Sequence, residues 1–133
     1  QVLDYPRLLQ PQRWLNARSL VLWGHGLSLH LLLKGEGLDA YLQALERHAA
    51  ALAEAGWHVD RREDPWLWHA EPAQFAAPTQ TDLRQQLRAT GHLKLSKYHG
   101  LAEPAAWEAS AQDDWRQLFS TLTDEPLSEP LSQ

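Results

Sequence analysis

The stretch SLVLWGHGLSLHLLLK, residues 19–34, decides how the rest of the chain is read. Ser19–Trp23 and Leu27–Lys34 are two apolar runs separated by Gly24-His25-Gly26, a spacing that predicts a hairpin. In the second run Leu27, Leu29, Leu31 and Leu33 share one face, and Ser28, His30, Leu32 and Lys34 share the other. That alternation predicts a strand with its leucine face buried and its histidine face in solvent.

Downstream, Leu38, Tyr41, Leu42, Leu45, Ala49 and Leu52 recur at the helical interval. They predict one helix from about 38 to 55, with Asp39 at its positive end and Gly56 placed to cap it. Trp57–Arg62 and Trp66–Ala70 read as two strands joined by the turn Glu63-Asp64-Pro65. A loop with Pro72 and Pro78 follows, then a short helix capped by Thr79 or Thr81, carrying Leu83 and Leu87 and ended by Gly91. His92–Tyr98 alternates as a strand, and Pro104 opens a helix lined by Trp107, Ala111, Trp115, Leu118, Phe119 and Leu122.

The order β-β-α-β-β-α-β-α predicts a two-layer α+β fold, with a mostly antiparallel sheet of about five strands and two to three helices on one face. Residues 1–18, with Pro6 and Pro11, read as an irregular arm, 19–122 as a single domain, and 123–133 as a flexible acidic tail in which EPLS occurs twice.

Charge sorts along the chain in the same way. Residues 1–100 carry 11 basic and 10 acidic side chains, whereas 101–133 carry Arg116 against seven acids. A net charge of −5 argues against a protein built for duplex nucleic acid. Arg84, Arg88, Lys94 and Lys97 form a local basic stretch, which could contact phosphate or, as economically, face the acidic last helix around Asp113 and Asp114. No run is long and apolar enough to insert in a membrane, and no secretory pattern is present, so a cytoplasmic location is expected.

The absence of cysteine removes disulfides, thiolate metal sites and a cysteine nucleophile. Glycine-rich phosphate loops, dinucleotide fingerprints, GxSxG and HExxH are also missing, so no cofactor is implied. Two populations of residues remain as candidates. Trp57, Trp66, Trp68, Trp107 and Trp115 fall where sheet and helix pack, as core or as a stacking platform for a small ligand, while Trp14 and Trp23 fall where an interface could use them. His30, His58, His69 and His92 fall on the face assigned to solvent, with Asp60 and Arg62 beside His58.

The principal reading is a non-catalytic protein-interaction module, an adaptor, assembly or regulatory domain. It binds a protein partner through a face or edge formed by His30, His58, Asp60, Arg62, His69 and His92. The alternative is a hydrolase, either metal-assisted through His30, His58 and His69 or using His58 and Asp60 as an acid–base pair. Nothing in the sequence fixes the oligomeric state.

Overall fold

The computed structural model describes residues 2–10, 13–22, 26–35, 37–67, 70–100 and 104–123. Six strands form one sheet: β1 (Val2–Gln10), β2 (Arg13–Leu22), β3 (Gly26–Gly35), β4 (His58–Asp60), β5 (Phe75–Ala76) and β6 (His92–His99). Their order across the sheet is β1-β2-β3-β6-β4-β5, and every neighbouring pair is antiparallel. The α+β class and the antiparallel sheet are as expected, with one more strand than the sequence suggests.

Two differences have physical causes. Residues 1–18, read as an arm, contain β1 and the first part of β2. β1 shows no period of two, because Val2-Leu3 and Leu8-Leu9 are adjacent apolar pairs, and one extra residue between Tyr5 and Leu8 shifts its register in a bulge. The partner of β4 is Phe75–Ala76, not Trp66–Ala70, whose described residues are turn and coil. A two-residue strand is too short to show any periodicity.

The helices are α1 (Asp39–Arg47), α2 (Ala49–Glu54), α3 (Leu83–Thr90) and α4 (Pro104–Thr123). The single helix expected over 38–55 is therefore two, broken at His48, where φ is −106° and ψ 18°. Gly56 closes α2 with φ +99° while Trp57 N donates to Leu52 O and Gly56 N to Ala53 O, the crossed bonds of a glycine-terminated helix. The cap of α3 is Asp82, whose Oδ1 accepts from Gln85 N at 3.1 Å, in place of Thr79 or Thr81. α4 is described through Thr123, and residues 124–133 of the expected tail lie outside the described residues.

One face of the sheet makes the core as the leucine alternation requires. Leu27, Leu29, Leu31 and Leu33 of β3 join Leu93 and Leu95 of β6 and Val59 of β4. Against them pack Leu42 and Leu45 of α1, Leu52 of α2, Leu83 of α3, and Trp115, Leu118, Phe119 and Leu122 of α4. Each buried leucine contributes about 1.5–3 kcal/mol, so this face supplies most of the driving force. Trp57 and Trp115 are core residues with ring centroids 5.6 Å apart, and Trp115 Nε1 donates to Ser19 Oγ at 2.8 Å. Trp66 departs from the expectation, being 47% exposed. Trp23 and Trp68 lie outside the described residues, as do the side chains of Trp14 and Trp107. No helix among the described residues is long and apolar enough to cross a membrane.

Candidate functional site

The face turned away from the core is where the structure departs most from the sequence reading. Ser28, His30 and Leu32 of β3, His92, Lys94 and Ser96 of β6, and Asp60 of β4 are all buried. The expectation that His30, Asp60, Arg62 and His92 stand in solvent is thus corrected; of the four histidines, His58 alone is seen half-buried, and His69 lies outside the described residues.

Strand register builds the site. His30 on β3 stands opposite Ser96 on β6, and Ser96 stands opposite His58 on β4, so the three side chains form one row across the sheet. His30 Nδ1 is 2.9 Å from Ser96 Oγ, and its Nε2 is 2.9 Å from Ser28 Oγ. A neutral imidazole has one donor and one acceptor, and a hydroxyl serves as either, so the two serines satisfy both nitrogens. Burial, reinforced by the nearby Lys94 charge, pushes His30 down to about 3.

Beside this row lies an ionic cluster. The Asp60 carboxylate accepts from Arg62 Nε at 2.9 Å, from Arg62 Nη2 at 2.6 Å and from Arg62 N at 3.1 Å. Lys94 Nζ is 3.5 Å from Asp60 Oδ2. Burial alone would raise the Asp60 pKa, but the hydrogen bonds from Arg62 and the Lys94 charge hold it below its ordinary value. Burial lowers Lys94 to about 8 against the pull of Asp60. Lys94 Nζ and Arg62 Nη2 also both donate to the carbonyl of Leu67, tying the turn after β4 to the sheet. Glu71, half exposed, lies 3.6 Å from Arg62 Nη1 and balances part of the remaining positive charge.

Toward the β5 edge the site becomes aromatic. The rings of His58 and Phe75 stack at 4.9 Å and 13°, and Tyr98 lies nearly parallel to Phe75 at 5.6 Å. The Arg62 guanidinium carbon is 5.6 Å from the centre of the Phe75 ring. All three rings are half-buried. Burial lowers His58 against the raising effect of Asp60, and burial with Asp60 raises Tyr98 to about 12.

The geometry bears on the chemistry open to these residues. Asp60 is hydrogen-bonded to Arg62 and not to His58, so the acid–base pair read from their spacing is not formed. His30 has both nitrogens engaged by serines, which leaves no lone pair directed at a metal position shared with His58. Among the described residues, no three His, Asp or Glu side chains converge as metal ligands. His92 is buried and lowered by desolvation, and its Nε2 has no hydrogen-bond partner among the described residues.

Three contributors to the site, Lys94, Ser96 and Phe75, are not among the site residues expected from sequence. Lys94 and Ser96 alternate with Leu93 and Leu95 and therefore belong to the same face as His30, but their burial depends on residues distant in sequence. Phe75 enters through the unforeseen β5. Among the described residues a His–Asp contact forms between His99 Nε2 and Asp114 Oδ2 at 2.6 Å, with Lys97 Nζ 2.8 Å from Oδ1. Of the basic stretch, Lys97 reaches Asp114, whereas Arg84 turns to Asp39 and Glu46 of α1, Lys94 to Asp60 and Arg88 to Gln85. Comparison with family models, curated proteins and solved structures found no match.

Proposed function

We propose that the chain is a non-catalytic protein-interaction module that meets its partner at the aromatic end of the sheet, around His58, Phe75, Tyr98 and Trp66. The observation that carries this reading is the contrast between the two parts of the polar face. His30 and Asp60 spend their polar atoms on neighbours inside the fold, while the stacked rings are half-buried and Trp66 is exposed on the turn that Arg62 and Lys94 anchor. Aromatic side chains and arginine are the residues that most often carry binding energy at protein interfaces. Strand addition is a poor mode here, because β5 has two residues and is flanked by Pro72 and Pro78. Recognition then falls to side chains, with His58, Asp60 and Arg62 as contact and support and His30 and His92 as the floor.

The test compares proteins captured from a lysate by the wild-type chain, by Trp66→Ala with Phe75→Ala, and by Arg88→Ala on the exposed side of α3. A partner lost with the first variant and kept with the second supports the surface, provided circular dichroism shows both variants folded. The reading fails if the captured set is the same for all three, or if His58→Ala abolishes turnover of an ester or amide substrate that the wild type hydrolyses.

A further inference from the structure

The aromatic end lies at one margin of the sheet, and β1 forms the other. Among the described residues β1 has a strand neighbour on one side alone, so along its nine residues, Pro6 with no N–H excepted, alternate main-chain groups lack a strand partner. Edges of this length are usually paired or blunted, and β1 is marked by Pro6 and a bulge. The bulge has a specific effect on what can pair there.

Along the β1–β2 ladder, Tyr5 stands opposite Ala17 and Leu8 opposite Leu15, so Pro6 and Arg7 together occupy the one position facing Asn16. In an antiparallel pair, two opposed residues must both turn their main-chain groups toward each other or both away. A two-fold axis at Tyr5 meets that requirement for β1 against itself. Because the bulge uses two residues for one position, this axis sets Val2 against Leu9, Leu3 against Leu8, and Asp4 against the Pro6–Arg7 bulge. Without the extra residue the same axis would set Leu3 against Arg7 and Val2 against Leu8. The bulge thus brings apolar positions to apolar positions and the acidic position to the basic one, twice per pair by symmetry.

We propose that the outer edge of β1 pairs antiparallel with β1 of a second copy, with its two-fold axis at Tyr5, joining two six-stranded sheets into one. This inference does not rest on the aromatic surface, which lies at the opposite end of the sheet.

The experiment measures mass in solution by light scattering over a concentration series for the wild type, Asp4→Arg, Arg7→Asp and the double exchange. The expected result is a dimer for the wild type, at least tenfold weaker association for each single variant, and recovery in the double variant. In parallel, hydrogen exchange of the β1 amides in the wild-type chain should slow as concentration rises, a measurement that needs no variant to fold. A wild type that remains monomeric throughout the series overturns the proposal, whether or not another protein binds the edge. So does a dimer indifferent to both charge changes, or one whose β1 exchange is independent of concentration.

Discussion

Lys94 Nζ lies 3.5 Å from Asp60 Oδ2, with both side chains 1% exposed. Arg62 holds the other side of the same carboxylate, so one buried anion stands between two buried cations. Such clusters are costly to assemble and costlier to break, because a removed partner leaves charge stranded away from water.

Asp60→Asn preserves the shape of the side chain and removes that charge. It is expected to lower the unfolding free energy by about 3–5 kcal/mol, read from the urea midpoint at constant m-value. A loss below ~1 kcal/mol would mean that solvent reaches Lys94 and Arg62 in the folded chain.

Acid should expose the burial of His30. Its folded value of about 3 lies below its ordinary value, so between pH 6.5 and 3 the unfolded chain binds a proton that the native chain does not. Stability contributed by the neutral imidazole is complete above pH 6.5 and falls as the pH drops through that window, with a limiting slope of about 1.4 kcal/mol per pH unit. His58 and His92, also lowered, add in the same direction. His30→Gln should flatten the profile by close to one proton, and an unchanged slope would place His30 in contact with water.

On the alkaline side two groups oppose each other. Lys94, at about 8 in the folded chain, gains stability as pH rises toward its ordinary value of 10.5, because there the unfolded chain holds more protons. Tyr98, raised to about 12, contributes stability that is present below pH 10 and lost as pH climbs through 12. The expected profile rises from pH 8 to 10 and falls beyond. Lys94→Met should remove the rise and Tyr98→Phe should reduce the fall, each measured as a difference from wild type in chemical denaturation.

Gly26 opens β3 with φ +117°, and a Cβ built there would lie 2.1 Å from His99 O. Gly26→Ala is therefore expected to cost about 2–3 kcal/mol through backbone strain and a collision with β6. Gly37 also has positive φ, but nothing among the described residues lies within 4 Å of its Cβ position, and Gly37→Ala should cost about 1 kcal/mol. Equal losses in thermal unfolding would show that the close approach of β3 and β6 is not maintained in solution.

How far the sequence was legible follows the range of the forces involved. The leucines of β3, the apolar stripe of residues 38–52, the Gly56 and Gly91 termini and the alternation of β6 are local patterns, and each places its element. The irregular reading of residues 1–18 failed because the adjacent apolar pairs Val2-Leu3 and Leu8-Leu9 and two prolines show no period of two, and the Trp66–Ala70 strand failed because aromatic content resembles strand content without strand pairing.

By itself, the sequence determined the α+β class and which face of β3 packs on the helices, since hydrophobic periodicity commits a side chain before any tertiary partner is chosen. The tertiary structure alone decided that β6 lies between β3 and β4, and with it the character of the polar face. His30 meets Ser96 across 66 residues, and Lys94 meets the Leu67 carbonyl across 27. Whether a polar residue on a strand stands in water or in a satisfied network depends on donors and acceptors delivered by distant segments, and no spacing along the chain encodes their arrival.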